Sequence, residues 1–221
     1  MKIVISGYGK MGHMVEAAAL RRGIEVALAS EDVCAVDPAL ARECVCIDFT
    51  TPDAFRANYP VLAERFKAVV VGTTGWGDIL PEVSACFEAA GTPLIYSANF
   101  SIGVNAVYAA LEKIGSVLHG QGYTPRIEET HHIHKLDAPS GTAKAMGGII
   151  EGALGVAPEI VSFREGEVPG THVAEFVSEV DKITLTHEAF SRQGFAEGAV
   201  TAALMTEGLS GVHEFKTLIL K

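Results

Sequence analysis

The segment Gly7-Tyr8-Gly9-Lys10-Met11-Gly12 constrains this chain more than any other. It follows Lys2-Ile3-Val4-Ile5-Ser6, an apolar run that reads as a buried parallel strand. It opens a helix whose Met11, Met14, Val15, Ala18 and Ala19 form one stripe, at spacings i, i+3, i+4, i+7 and i+8. Arg21 and Arg22 suit the negative end of that helix, and Gly23 its cap. Glycines at this spacing have distinct tasks. The first makes the turn, the second lets backbone approach a pyrophosphate, and the third lets helix pack on strand. The helix N-terminus attracts the phosphate charge. The pattern predicts dinucleotide binding by Gly7, Tyr8, Gly9, Lys10, Met11 and Gly12. The plainer alternative is a merely tight turn.

The first hundred residues continue to alternate. Strands are predicted over 24–29, 45–49, 68–72 and 93–97, with helices opening at Thr51-Pro52-Asp53 and spanning 80–90. Repeated strand–helix units imply a Rossmann-type, doubly wound parallel sheet in an α/β domain. After Ser101 the rhythm changes. A long helix over 104–118 precedes extended segments at 126–132, 159–164, 171–180 and 182–187, with one helix over 142–154 among them. Ile183, Leu185 and His187 alternate with Thr184, Thr186 and Glu188, as in a strand with one wet face. This predicts a second, α+β domain on an open mixed sheet. A last helix is read over 198–205. The expected division is 1–101 plus 199–221 for the cofactor domain and 102–198 for the substrate and oligomerisation domain.

Charge narrows the partners. Lys and Arg total 17 against 27 Asp and Glu, a net −10, which argues against nucleic acid. No apolar run reaches the ~20 residues that span a bilayer, and the N-terminus lacks a secretory pattern. Cys34, Cys44, Cys46 and Cys86 show no metal spacing, so no metal is expected and a reducing cytoplasm is the simplest compartment.

Two further loops fall at strand ends, where open α/β sheets bind ligands. They are Gly72-Thr73-Thr74-Gly75 and Ser97-Ala98-Asn99-Phe100-Ser101. Small residues there let backbone groups meet a nicotinamide and its ribose. The second strand ends Ala27-Leu28-Ala29-Ser30-Glu31. Either Glu31 supplies the ribose-binding acid, or Ser30 and Lys10 accommodate a 2′-phosphate, so NADH and NADPH both stay open.

The densest chemistry is His131-His132-Ile133-His134-Lys135-Leu136-Asp137-Ala138-Pro139-Ser140-Gly141-Thr142. Three histidines and a lysine in five residues make a local cationic pocket for an anion. Histidine also titrates near neutrality, as a general acid must. Ser140-Gly141-Thr142 leads into a helix, whose free N–H groups can take a carboxylate. Zinc binding and ordinary hydrogen-bonded strand-end histidines are the alternatives.

The run from His131 to Ala143 resembles the signature of the dihydrodipicolinate reductase family. Supporting anchors are Asp48-Phe49-Thr50, Gly72-Thr73-Thr74-Gly75, Asn99 to Asn105, Arg164-Glu165-Gly166, Gly170-Thr171-His172 and His187 to Arg192. The chain departs from the family pattern in the short connection between its second and third strands. The resemblance implies reduction of a cyclic dicarboxylate, 4-hydroxy-tetrahydrodipicolinate, to tetrahydrodipicolinate with NADH or NADPH, on the route to diaminopimelate and lysine. It implies that His131 is the proton donor and acceptor and Lys135 a second proton donor. His132 would contact substrate, and Gly141 and Thr142 would hold a carboxylate. It further implies cofactor contacts from Gly72, Thr73, Thr74, Ser97, Ala98, Asn99 and Phe100, and a homotetramer built through the second sheet.

Overall fold

Short apolar runs separated by amphipathic helices can bury themselves only as a parallel sheet covered on both faces. The computed structural model describes residues 1–220 and realises that solution in the N-terminal half. The elements there are β1 (Lys2–Ser6), α1 (Lys10–Arg21), β2 (Glu25–Ser30), α2 (Pro38–Glu43), β3 (Cys44–Asp48), α3 (Pro52–Arg65), β4 (Ala68–Val71), α4 (Leu80–Ala90) and β5 (Leu94–Tyr96). The middle of the chain supplies α5 (Ile102–Leu118), β6 (Thr124–His131), α6 (Gly141–Leu154), β7 (Glu159–Arg164), β8 (Thr171–Val177) and β9 (Lys182–Glu188). The end supplies α7 (Gln193–Met205), β10 (Val212–Glu214) and α8 (Phe215–Ile219). One compact unit comprises Met1–Ser101 with the described residues from Gln193 on; the other is Ile102–Arg192.

In the first unit six parallel strands run in the order β10-β5-β4-β3-β1-β2. The order reverses direction at β1, so the loop after β1 opens at the switch point where such sheets bind ligands. Ile3, Ile5, Val45, Ile47 and Val70 face a core shared with α1 and α7; Val4, Cys44, Cys46, Val69 and Val71 face another, shared with α3 and α4. Thr51 caps α3 by accepting from the Ala54 N–H at 3.2 Å, with Pro52 at the first turn.

The last strand and helix, β10 and α8, are absent from the sequence reading. A three-residue strand with one apolar residue carries no periodicity to detect. The helix read over 198–205 begins at Gln193 instead. Gly194 and Gly198 make its first half look like loop. Yet Gly198 is a packing requirement, because a Cβ there would stand 1.7 Å from the Phe100 carbonyl oxygen. The whole helix belongs with the first unit, so the chain returns at 192/193 and not at 198/199.

The second unit is a four-stranded mixed sheet in the order β7-β6-β8-β9, with β6–β7 parallel and the other pairs antiparallel. Ile127, Ala174 and Phe176 face a core built with Leu111, Met146, Ile150 and Leu154 of α5 and α6. The strand expected to reach residue 180 stops at Val177, because the Ser178 N–H donates to the Asp181 carbonyl at 3.0 Å and turns the chain.

Gly198→Ala is expected to destabilise the first unit by about 1–3 kcal/mol, the usual cost of overpacking a close approach. Urea unfolding followed by circular dichroism measures it; an unchanged midpoint would mean that α7 can move away from Phe100 without cost.

Candidate active site

The glycine loop has the geometry a pyrophosphate needs. Gly7 has φ +84°, and a Cβ there would lie 2.5 Å from the Phe49 carbonyl oxygen. A Cβ on Gly12 would lie 2.4 Å from the Gly7 carbonyl oxygen, so any side chain would lift α1 off the loop. Gly9 faces open space, with nothing within 4 Å of its missing Cβ. It is also the N-cap of α1, which has no side-chain cap and no acid in its first turn. The first N–H groups of α1, from Lys10 and Met11 on, therefore offer an uncapped positive end. Glu31 Oε1 accepts from the Tyr8 N–H at 2.9 Å, placing an acid beside the loop. Ser30 is committed to its own turn, its hydroxyl bonding Asp32 N–H and carbonyl. These residues fit a dinucleotide.

The neighbouring loops are organised by Asp48, whose side chain is fully buried at the end of β3. It accepts from Ser6 Oγ at 2.7 Å, Thr73 Oγ1 at 2.6 Å and Thr50 Oγ1 at 3.0 Å. Burial pushes its carboxyl above the ordinary value despite those three hydroxyls. Thr73, Thr74, Ser97 and Ala98 line one cavity of about 220 Å³ with Trp76 and Tyr96. Trp76 Nε1 donates to the Thr73 carbonyl at 2.7 Å. Ser97 Oγ donates to the Asn99 carbonyl at 2.8 Å, shaping the following turn. Gly72 and Asn99 lie outside that lining. The Phe100 ring is packed in the core against Phe215, 5.0 Å away, so position 100 offers a ligand backbone only.

In the second unit the strand register builds a polar row on the helix-facing side of the sheet. Ser162, Glu129, His172 and His187 are successive partners across β7, β6, β8 and β9; Arg164 and His131 are partners in the next row. Glu129 has no exposed surface. Its Oε1 accepts from Arg164 Nη2 at 3.0 Å and from the Ser140 N–H at 3.3 Å. Its Oε2 meets His131 Nδ1 in a short hydrogen bond. Ser140 is the N-cap of α6, accepting from the Ala143 N–H at 3.2 Å, and its hydroxyl contacts His172 Nε2 at 3.1 Å. Arg164 also donates to the carbonyls of Asp137 at 2.5 Å and Lys135 at 3.3 Å. Lys135 Nζ pairs with Asp137 Oδ1 at 2.8 Å. His132 Nε2 accepts from Arg192 at 3.3 Å. Gly141 and Thr142 form the first turn of α6. Gly170 keeps a side chain away from His131 Nε2, since a Cβ there would be 2.9 Å from it.

The electrostatics follow from this packing. Burial lowers the His131 pKa and the cations of Lys135 and Arg164 lower it further, while the Glu129 carboxylate opposes them. Burial raises Glu129, but hydrogen bonds from Ser162, Arg164 and His131 outweigh it and hold the carboxyl below its usual value. Burial, joined by the charge of His131, lowers His172 to about 4. Glu129, His131 and His172 lie close enough to suggest a metal site, with ligand atoms within 4.8 Å of one another. Both carboxylate oxygens are already taken, however, and the Arg164 guanidinium on one of them opposes a divalent ion.

The sequence reading missed Glu129, Arg164 and His172 as site residues. Glu129 was visible in principle, since Ile127, Glu129 and His131 share one face of a strand. Arg164 and His172 reach the site through pairing between distant segments, which no local pattern encodes.

A glycine loop at a switch point that fits a dinucleotide, and a buried acid–histidine pair beside a helix N-terminus, are features of the nucleotide-dependent oxidoreductases. Two family models match the chain: dihydrodipicolinate reductase, N-terminus, over residues 1–100, and dihydrodipicolinate reductase, C-terminus, over residues 103–219. The 4-hydroxy-tetrahydrodipicolinate reductase of Christiangramia forsetii is 35% identical, covering 99% of this chain and 98% of its own. That of Neisseria meningitidis serogroup B is also 35% identical, covering 92% and 80%. A dipicolinate-bound dihydrodipicolinate reductase from Paenisporosarcina sp. TG-14 superposes with a TM-score of 0.79 at 19% identity, covering 99% of each chain. The chain belongs to the dihydrodipicolinate reductase family.

His172 should make folding pH-dependent. Its folded pKa of about 4 lies below the ordinary 6.5, so its contribution is whole above pH 6.5 and is lost as pH falls toward 4. The difference amounts to about 3 kcal/mol. Urea titrations between pH 8 and pH 4 should show this slope, and His172→Gln should flatten it. An equal slope in both proteins would remove His172 as the cause.

Proposed function

We propose that this protein reduces 4-hydroxy-tetrahydrodipicolinate to tetrahydrodipicolinate with NADH or NADPH, on the route to diaminopimelate and lysine. Family membership supports the reaction. The observation that carries the residue roles is His131, held by a buried acid at the end of β6 beside Lys135 and the N-terminus of α6. The reaction balances as substrate, reduced nicotinamide nucleotide and one proton giving product, oxidised nucleotide and water. When bound, the nicotinamide nucleotide supplies the hydride.

The residues of this chain supply the rest. The loop from Gly7 to Gly12 would hold the pyrophosphate, and Thr73, Thr74, Ser97 and Ala98 the nicotinamide end. Hydride addition to a conjugated imine leaves electron density that needs an acid. His131 Nε2, opposite the bond its Nδ1 makes to Glu129, is the group for that proton. Lys135 is a second donor, and its ammonium also answers a substrate carboxylate. His132 contacts substrate, while Gly141 and Thr142, in the first turn of α6, would hold a carboxylate at that helix's positive end. The dianion itself favours protonation of His131, which the cations of Lys135 and Arg164 otherwise discourage.

Glu31 supports a preference for NADH. A carboxylate beside the glycine loop accepts ribose hydroxyls and repels a 2′-phosphate. Assembly as a homotetramer through the second sheet is supported by its outward face, where Phe163 and Val177 are 46% and 42% exposed. A cytoplasmic setting is consistent with four free cysteines and with the lack, among the described residues, of any helix long and apolar enough to cross a membrane. The net charge of −10 speaks against a nucleic-acid partner.

His131→Ala should lower kcat by ~10²–10⁴-fold while NADH affinity stays within a factor of about two. The assay follows nucleotide oxidation on freshly made substrate, and Trp76 fluorescence follows NADH binding. Near-wild-type turnover would exclude the proton-donor role.

NADH should bind more tightly than NADPH, and Glu31→Ala should narrow the gap by roughly tenfold, the equivalent of one 1.4 kcal/mol interaction. Titrating both nucleotides into both proteins decides it. An unchanged ratio would exclude Glu31 from nucleotide selection.

A further inference from the structure

We propose that Glu129 is a positioning residue that holds the proton donor and the carboxylate cradle in one fixed relation. The inference rests on the reading of His131 as proton donor, and it concerns a residue that acts through others. The two oxygens of Glu129 divide the work. Oε2 accepts a hydrogen bond from His131 Nδ1, which fixes the ring and leaves Nε2 as the nitrogen on the side where Gly170 keeps any side chain away. Oε1 takes the Ser140 N–H at 3.3 Å, immediately before the first turn of α6. Arg164 anchors the same oxygen at 3.0 Å and, through the Asp137 carbonyl at 2.5 Å, the loop that carries Lys135. A side chain with no exposed surface thus bonds directly to two of the segments that bear site residues in this unit and reaches the third, the Lys135 loop, through Arg164.

The burial gives the arrangement its stiffness. A desolvated carboxylate that loses a donor leaves a charge with no water to replace it, so its hydrogen bonds are costly to break. Groups that face the pair and share its field are Arg164 from β7, Lys135 from the loop, His172 from β8 and His187 beyond it on β9. α6 contributes the Ser140 cap.

The deciding experiment compares Glu129→Gln, His131→Ala and the double variant by steady-state kinetics over pH 5.5–9. Glu129→Gln keeps an acceptor but removes the charge. It should lower kcat about 10–100-fold, as loss of a supporting partner does. It should also move the histidine-dependent limb of the kcat profile to lower pH and raise KM for substrate, while NADH binding read at Trp76 is unchanged. In the His131→Ala background the same change should alter kcat less than about twofold, because its target is gone. Multiplicative losses in the double variant, or an unmoved pH profile in the single one, overturn the proposal while leaving the role of His131 intact. Near-wild-type His131→Ala would instead remove the reading beneath it. Wild-type protein gives a test free of folding defects: ¹⁵N imidazole shifts should show neutral His131 protonated at Nδ1, and protonation at Nε2 overturns the proposal.

Discussion

A carboxylate removed from water has to be met by donors on both oxygens, and each unit of this protein places one such carboxylate where its functional loops converge. In the first unit it is Asp48, at the end of β3, answered by hydroxyls from Ser6, Thr50 and Thr73. In the second it is Glu129, within β6, answered by Arg164, Ser140 and His131. The loops involved have few apolar anchors of their own. Bonding to a common desolvated acid gives them a fixed arrangement that packing alone would not. The two acids differ in charge balance. Asp48 has neutral donors, and burial leaves its pKa raised; Glu129 has a guanidinium, and its pKa falls. The second unit therefore keeps a dependable negative charge next to its histidine.

The first unit adds a constraint of close backbone approach. Strand end, loop and helix meet at Gly7 and Gly12 with no room for a Cβ, whereas Gly9 faces open space. Two glycines serve the protein's own packing and one faces outward, which gives the motif its asymmetry. The same logic explains Gly198, which brings α7 against the Phe100 carbonyl. A glycine in a helix normally costs about 1 kcal/mol relative to alanine. Here that cost is offset by a core in which Ala196, Ala199, Val200 and Ala203 pack beside β-strand residues of the sheet.

Legibility in the sequence followed the range of the interaction. The β1–loop–α1 unit was readable because strand, turn and helix signals lie within about twenty residues. The helix over 80–90 and the strand over 159–164 were readable for the same reason: Gly91 stops the first, and Gly166 follows the second at Arg164-Glu165-Gly166. The histidine cluster announced itself by composition. What stayed hidden depends on pairing. Nothing near Thr171 says that His172 lies opposite Glu129, and nothing near Arg164 says that it lies beside His131. β10 was hidden by length, because Val212–Glu214 gains its identity only by pairing with β5.

The depressed pKa values of His131 and His172 bear on the proposed roles. A histidine buried among cations is poorly protonated at rest, which is unfavourable for the proton donation proposed for it. On the proposed function, a dicarboxylate substrate would change that balance by bringing negative charge beside the buried pair, where each interaction is strong. Binding and protonation would then be linked, so that the ligand that needs the proton would recruit it. His172, held neutral at pKa about 4, does not compete for that proton. Its Nε2 lies at the Ser140 hydroxyl, so it contributes a fixed dipole and no charge. Of the three histidines on the second sheet, His131, His172 and His187, His131 alone is bonded to a carboxylate among the described residues, and on the proposed function it is the one a dianion would switch into an acid.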